Sequence, residues 1–233
     1  MKTLGILEAD TLYPDLLAEY QSYGNMLRRF LQAHGQEFEA VFYDVQKGEL
    51  PTPFACDAYL LTGSKAGVYD DLPWLAPLAS WITRAYGDGE KLMGVCFGHQ
   101  MIAHSLGGFA AKSPKGWGVG LATAQINNAP NWAKAAPSEL CLIYSHQDQV
   151  EILPPNAQRL AGNDFCPNAA FFIANQVLCV QGHPEFDVAY TERLLKRRAQ
   201  TIGEELLSKR LAELRPTPDA KWIAQWMGKL IQL

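Results

Sequence analysis

The sequence lacks several features that would place it in a specialised class. It has no apolar run long enough to span a bilayer, and acids at Glu8 and Asp10 interrupt its amino terminus too early for a signal peptide. It also lacks an excess of positive charge, because 20 Lys and Arg residues stand against 24 Asp and Glu residues, for a net charge of −4. We therefore expect no membrane segment and no nucleic-acid partner.

The cysteines lack the pattern of a disulfide framework or a zinc site. There are five of them, an odd number, and none forms a CxxC pair. The five histidines also lack metal-ligand spacing, since His99 and His104 do not share one helical face. These absences predict no metal and no cofactor, and they are typical of a protein in the reducing cytoplasm.

The apolar periodicity that is present predicts an α/β fold. The predicted strands are 3–7, 38–43, 58–61, 91–95, 140–144, 149–153, 159–162, 169–174 and 177–180. The predicted helices are 13–34, 74–86, a segment starting just after Cys96, 187–214 and 219–231. The first half has the pattern of a parallel sheet covered on both faces, and the second half predicts an antiparallel extension of that sheet. No repeat or flexible linker interrupts the chain, which predicts a single domain over residues 1–233.

The most informative stretch is the apolar run 92–95, which ends in Cys96 and is followed at once by Phe97-Gly98-His99-Gln100. This pattern predicts a buried strand, a sharp turn at the cysteine and a helix. At such a corner, unpaired backbone N–H groups and the helix dipole favour a thiolate, and small residues at 94 and 98 avoid crowding. The alternative is an inert core thiol, because free cysteine is often buried.

A second motif, Gly182-His183-Pro184-Glu185, follows the strand predicted at 177–180. Residues two apart along an extended chain point to the same side, so the Glu185 carboxylate can bond one imidazole nitrogen and leave the other facing a thiol. This is the arrangement of nucleophile, base and orienting carboxylate, which we predict to be Cys96, His183 and Glu185. A loop histidine beside a surface glutamate is the alternative.

The loop after the strand predicted at 58–61 begins Thr62-Gly63-Ser64. A glycine at this place lets a backbone N–H approach a ligand closely. Attack of a thiolate on an amide creates an oxyanion, which requires well-aimed donors. The candidates are the main-chain N–H groups of Gly63 or Ser64 and of Phe97, with a plain tight turn as the alternative.

A third polar stretch, Ser145-His146-Gln147-Asp148, is predicted to be a short step between two strands. Its backbone suits an amino-acid carboxylate and Asp148 suits an ammonium group, whereas a simple β-turn is the alternative.

Trp117, Tyr69 and Lys65 are further candidates for the pocket wall, with surface or core roles equally open. The basic stretch 191–198 is interpreted as a solvated face or a partner-docking site. Structural roles are predicted for Cys56, Cys141, Cys166 and Cys179.

Together these motifs resemble the class I (triad) glutamine amidotransferase domains over a core from about residue 4 to 185. The resemblance implies a three-layer, flavodoxin-like α/β sandwich with a mostly parallel sheet. It also implies hydrolysis of the γ-amide of glutamine through a thioester on Cys96, with His183 as general base and acid and Glu185 orienting it. In the same family pattern, Gln100 and the 145–148 step bind the amino-acid end of the substrate.

Two departures from the family pattern leave the reaction open. The family usually feeds ammonia to a synthase, and the sequence shows no second domain for that role. Its glycine loop also lacks the proline of many members, and its Val68-Tyr69-Asp70-Asp71 continuation resembles a stand-alone branch. That branch is similar to the glutaminase part of GMP synthetase and includes γ-glutamyl peptidases.

Four interpretations therefore stand. One is a glutaminase, with ammonia passed to a separate synthase or acceptor protein. The second is a peptidase that acts on γ-glutamyl peptides or glutathione conjugates. The third is a non-catalytic binding module, and the fourth is a redox or chaperone relative with the same elbow. The pocket beyond the scissile bond separates the first two, and an intact Cys–His–Glu set argues against the third. The fourth would not need the His-Pro-Glu motif.

Overall fold

The computed structural model describes residues 1–133, 136–217 and 219–233. The strands are β1 Thr3–Glu8, β2 Glu39–Asp44, β3 Ala58–Leu61, β4 Leu92–Val95, β5 Phe109–Lys112, β6 Gly118–Ile126, β7 Glu139–His146, β8 Asp148–Ile152, β9 Gln158–Gly162, β10 Ala170–Ile173 and β11 Val177–Val180. The helices are α1 Pro14–Tyr20, α2 Tyr23–Ala33, α3 Leu75–Gly87, α4 Phe97–Ser105, α5 Val188–Arg197, α6 Ala199–Ile202, α7 Glu204–Ala212 and α8 Ala220–Gln232.

The large sheet has the strand order β2-β1-β3-β4-β11-β10-β9-β6-β7 within the described residues. The strands from β2 to β11 are parallel to one another, and β10, β9, β6 and β7 continue the sheet in antiparallel fashion. The parallel part repeats the flavodoxin-like order, in which ligands bind beyond the carboxyl ends of the strands. The predicted α/β sandwich, with a parallel sheet and an antiparallel extension, is confirmed.

Apolar side chains cover both faces of this sheet because successive residues of each strand point to opposite sides. On one face, Leu4 and Val95 pack with side chains of α2 and α8. On the other face, Leu61 and Leu92 pack with side chains of α3 and α4. The result is a three-layer arrangement. The helices cover both faces of the sheet but not the carboxyl ends of its strands, where polar residues can form a functional site.

The predicted helix over residues 13–34 is wrong, because two helices cover that stretch. The chain turns at Gln21, whose φ is +64°, a value outside the helical region. Ser22 then begins α2, and its Oγ accepts a hydrogen bond from Asn25 N at 3.0 Å. The apolar spacing continues across the break because side chains of both helices pack in one apolar cluster.

Three more predictions need correction. The helix predicted at 187–214 is three helices, with Gly203 at φ +90° between α6 and α7. The polar step predicted at 145–148 is mostly strand, since β7 runs to His146 and β8 begins at Asp148. β8 pairs with β5 in a separate two-stranded sheet rather than in the main extension. Pairing of β7 with β6 along its whole length holds these polar residues extended.

No helix in the described ranges is long and apolar enough to cross a bilayer.

Candidate active site

The loops that carry the predicted site all leave the same edge of the sheet. β3, β4 and β11 are parallel neighbours, with Leu61 paired to Gly94 and Val180 paired to Val95. Cys96 follows β4 directly, and its N–H donates to the Val180 carbonyl at 2.9 Å. The residues after all three strands therefore meet at one carboxyl edge.

Cys96 lies at a strained corner between β4 and α4. Its φ is +54° and its ψ is −103°, a conformation that residues with side chains rarely adopt. The corner is tight because a Cβ atom at Gly98 would lie 2.2 Å from the Leu61 carbonyl oxygen. A Cβ atom at Gly94 would likewise lie 2.5 Å from the backbone of residue 98. Because these two residues have no side chain, the backbone segments can approach closely enough for α4 to begin directly after Cys96. The thiol then lies beyond the edge of the sheet.

His183 is held on three sides. Its Nδ1 donates to Glu185 Oε1 at 2.8 Å, and its backbone N–H donates to the Ile143 carbonyl at 2.7 Å. Its ring also stacks on Phe186, with centroids 3.8 Å apart and planes 8° from parallel. The Glu185 side chain is only 1% exposed. These three contacts together fix the orientation of the imidazole.

The imidazole of His183 favours its charged form despite its burial. Burial by itself lowers the pKa of His183, but the negative charges of Glu185 and Cys96 outweigh that effect and raise the pKa to about 10. Opposite charges nearby favour ionisation in this way. A cationic ring beside a sulfur is the electrostatic setting in which a cysteine acts as a thiolate.

Gly63 lies beside both Cys96 and the His183 imidazole. A Cβ atom built on it would come within 3.0 Å of His183 Cε1 and 3.7 Å of Cys96 Cβ. A side chain at this position would therefore crowd both Cys96 and the His183 ring. The N–H groups of Gly63, Ser64 and Phe97 donate to no backbone carbonyl among the described residues. The predicted role of these N–H groups as oxyanion donors stays a prediction.

A cleft of about 320 Å³ opens in front of Cys96. Clefts of this size accommodate small-molecule ligands. Most of the predicted pocket residues line it, together with two basic side chains that were not predicted to do so. The lining includes Ser64, Lys65, Tyr69, Asp70, Cys96, Gln100, Lys112, Trp117, Ser145, His146, Gln147, Asp148, Arg198 and Thr201.

Gln100 and His146 are buried in the floor of the cleft and bond to its frame. Gln100 Nε2 donates to the Asp148 carbonyl at 2.7 Å and to Gln181 Oε1 at 3.0 Å. His146 Nδ1 is 2.9 Å from the same carbonyl, and burial lowers the pKa of His146 to about 4. These contacts fix the shape of the floor, and the predicted roles of both residues in substrate binding stay predictions.

Asp148 and Lys65 occupy the rim of the cleft. Asp148 Oδ2 accepts a hydrogen bond from the Tyr69 hydroxyl at 2.9 Å, and burial raises the pKa of this carboxyl. Lys65 Nζ forms an ion pair with Asp10 Oδ1 at 2.7 Å. Because Asp148 has no cationic partner among the described residues, it can still accept an ammonium group.

The residues of this site that sequence reasoning missed include Arg198, Lys112 and Phe186. Arg198 follows α5 and was included in the basic stretch interpreted as a solvated or docking face. Its neighbours Arg193 and Arg197 do lie on the protein surface outside the cleft, where they form ion pairs with Asp15 of α1. Successive helical residues point about 100° apart, and this rotation was the available signal that Arg198 faces a different way. Phe186 carried no signal beyond its position next to Glu185.

The other cysteines differ from Cys96 in their surroundings. Cys179 is in the middle of β11, opposite Gly94, and burial raises its pKa well above the ordinary value. Burial also raises the pKa of Cys166 to about 12 and raises that of Cys56. A raised pKa disfavours the reactive thiolate, which agrees with structural roles for these residues.

Comparison with known proteins identifies the family of this chain. The model of the class I glutamine amidotransferase family matches residues 16–199. The chain belongs to this family. A solved glutamine amidotransferase from Thermotoga maritima has the same fold, with a TM-score of 0.79 at 18% identity over 100% of this chain and 99% of that one.

Two curated relatives of this amidotransferase-family chain have more specific names. It is 29% identical to γ-glutamyl peptidase 4 of Arabidopsis thaliana over 176 residues, which cover 72% of this chain and 69% of that protein. It is 30% identical to the glutamine-hydrolysing GMP synthase of Thermomicrobium roseum over 186 residues. That match covers 80% of this chain but 32% of the synthase.

Proposed function

We propose that this protein is a cysteine-dependent hydrolase of γ-glutamyl amides. The observation that carries the proposal is the meeting of Cys96, His183 and Glu185 at one edge of the sheet, with Gly63 close to both Cys96 and His183. Membership of the class I glutamine amidotransferase family supports the same chemistry. A γ-glutamyl thioester on Cys96 is the proposed intermediate.

The first half of the reaction forms the thioester. The Cys96 thiolate attacks the γ-carbonyl carbon of the substrate, and the carbonyl oxygen becomes an oxyanion. The N–H groups of Gly63 or Ser64 and of Phe97 stabilise that oxyanion, and each such donor contributes about 10²- to 10³-fold in rate. The His183 imidazolium then gives its proton to the leaving nitrogen, the carbon–nitrogen bond breaks and the free amine departs.

The second half releases glutamate. Neutral His183 takes a proton from a water molecule, whose oxygen attacks the thioester carbon. The carbon–sulfur bond breaks, the product leaves as glutamate, and the thiolate and imidazolium are restored. Glu185 keeps Nδ1 of the ring protonated, so that Nε2 is the nitrogen that exchanges protons in both halves.

Peptide amines are the leaving groups that the cleft suits best. The cleft in front of Cys96 is open and has a volume of about 320 Å³, so it can accommodate a leaving group larger than ammonia. Similarity to an Arabidopsis γ-glutamyl peptidase supports this choice. We therefore propose γ-glutamyl peptides, including glutathione conjugates, as the preferred substrates.

Glutamine is the second candidate substrate, with its ammonia passed to a separate synthase. The similarity to GMP synthase favours it, since that protein is named for glutamine hydrolysis. Both candidates use the same residues at the scissile bond and differ only in the leaving group.

The test is incubation of the purified protein with glutamine, glutathione and several γ-glutamyl dipeptides, followed by assays of released glutamate and ammonia. We expect turnover of the peptides, and loss of at least about 10⁴-fold of it in Cys96→Ala, because the attacking atom is removed. Cys141→Ala is the matched control, since this partly exposed thiol is not in the cleft.

Three results would contradict part or all of this function. Wild-type turnover in Cys96→Ala would reject the nucleophile. Release of ammonia from glutamine with no turnover of peptides would select the second candidate. No hydrolysis of any γ-glutamyl compound by the wild-type protein would reject the function as a whole.

A further inference from the structure

Arg198 is a cation of the cleft that takes no part in the proposed mechanism. It lines both the open cleft and the small pocket between Cys96 and His183. The guanidinium of Arg198 is partly buried, and no carboxylate of the described residues forms an ion pair with it. A partly desolvated charge without a counter-charge is costly, which points to an anion that arrives with the ligand.

The protein holds this guanidinium in a fixed plane. Arg198 Nη1 donates to Ser145 Oγ at 2.8 Å and to the Ser145 carbonyl at 3.2 Å. On its other side, the guanidinium lies 5.6 Å from the centroid of the Trp117 ring. Both contacts use only part of its donor set, and a planar guanidinium with free N–H groups can bind a carboxylate through two bonds.

The proposed substrate carries such a carboxylate at a short distance from the scissile bond. A γ-glutamyl group bears an α-carboxylate and an α-ammonium two methylenes from its γ-carbonyl. With the γ-carbonyl at Cys96, Arg198 and Asp148 line the same cleft and carry the two opposite charges that this end needs.

We propose that Arg198 binds the α-carboxylate of the γ-glutamyl group and makes a free α-carboxylate a requirement for substrates. This inference rests on the proposed function and narrows it. Glutamine, glutathione and γ-glutamyl dipeptides meet the requirement. Glutamine residues inside a protein chain do not, because their α-carboxylate is part of a peptide bond.

The test compares two substrates with the same neutral leaving group, γ-glutamyl-p-nitroanilide and its α-carboxamide analogue. We expect the wild-type protein to prefer the carboxylate substrate by about 10- to 100-fold in kcat/KM, the range of one charge-assisted interaction. Arg198→Gln should lose this preference by lowering the value for the carboxylate substrate only. Arg198→Lys should keep part of it, since the charge remains.

Arg197→Gln is the matched control, because that neighbouring arginine is paired with Asp15 outside the cleft. It should keep the full preference. An unchanged preference in Arg198→Gln would overturn the proposal. An equal loss on both substrates would also overturn it, because that result means that Arg198 only supports Ser145.

A second measurement keeps the inference testable if neither substrate is cleaved, a result that would reject the proposed function instead. Cys96 is alkylated with iodoacetate and with iodoacetamide, and the ratio of the two rates is measured. We expect the relative rate of the anionic reagent to fall by about tenfold in Arg198→Gln and to stay unchanged in Arg197→Gln. The same ratio in all three proteins would show that Arg198 attracts no anion at this site.

Discussion

Two buried histidines near Cys96, His146 and His183, have the same local sequence pattern and opposite electrostatics. Each is followed two residues later by an acid, in His146-Gln147-Asp148 and in His183-Pro184-Glu185, and each is buried. Burial lowers the pKa of His146 to about 4. At the second histidine, burial is outweighed by Glu185 and Cys96, and the pKa rises to about 10. Equal burial therefore does not decide the charge of a histidine.

The difference lies in which oxygen of the acid meets the ring. His183 Nδ1 bonds the Glu185 carboxylate at 2.8 Å. His146 Nδ1 meets the backbone carbonyl of Asp148 at 2.9 Å, while the carboxylate of Asp148 accepts from Tyr69. Asp148 begins a strand, and its side chain points to the rim rather than back to the ring. The comparison shows that a two-residue spacing permits a histidine–carboxylate pair but does not guarantee that the pair forms.

The largest expected effect comes from removing the carboxylate charge on the His183 side. Glu185→Gln should lower kcat by about 10³- to 10⁴-fold, because an amide no longer holds the productive tautomer or stabilises the imidazolium. Asp148→Asn should lower kcat less than tenfold and act mainly on KM. Steady-state kinetics on a γ-glutamyl peptide measures both.

Glu151→Gln is the control for this pair, since Glu151 is exposed on β8 and does not line the cleft. Equal losses of kcat in Glu185→Gln and Asp148→Asn would mean that the two acids are equivalent. In that case the contrast between the two histidines has no catalytic meaning.

The next effect tests the elbow that brings the thiol to His183. Gly98→Ala should destabilise the fold by about 3 kcal/mol or more, because the new methyl group would collide with β3 backbone that cannot move aside. Gly87→Ala is the control, since a Cβ atom there meets nothing within 4 Å. Urea unfolding curves measure both free energies. A Gly98→Ala protein as stable as Gly87→Ala would show that the elbow is less closely packed than described.

The smallest effect is a pH dependence of stability that separates the two histidines. The pKa of His146 is lowered, so the unfolded chain binds more protons below its own value of about 6.5. Stability from this residue is therefore present above pH 6.5 and is lost towards pH 4, at about 1.4 kcal/mol per pH unit. The raised pKa of His183 has the opposite sign, and its contribution is lost as the pH rises through about 10.

Unfolding free energies measured from pH 7 to pH 5 test this slope. His146→Gln should flatten it by about 1.4 kcal/mol per pH unit below pH 6.5, whereas substitution of the exposed His34 should leave it unchanged. Part of the wild-type slope will remain in His146→Gln, because burial also lowers the pKa of His99 to about 3. A slope identical in wild type and His146→Gln would show that this histidine is not held neutral in the fold.

Sequence patterns predicted the elements that carry the site more accurately than those around it. The strands at 58–61 and 177–180 were predicted with the bounds that the structure has, because short apolar runs between polar or glycine residues are local signals. The break at Gln21 has no glycine or proline to announce it. The strand character of Ser145 and His146 comes from pairing with β6, which no local pattern contains.

The sequence by itself determined the corner at Cys96, the glycines that permit it and the order of the motifs along the chain. These follow from steric and hydrogen-bonding rules that act over a few residues. Only the tertiary structure decided which of two similar His-x-acid motifs forms a charged pair, and that Arg198 faces the cleft while Arg197 faces outward. Those outcomes depend on bonds between distant segments, such as His183 to Ile143 and Arg198 to Ser145, and on burial that exists only when the layers are packed.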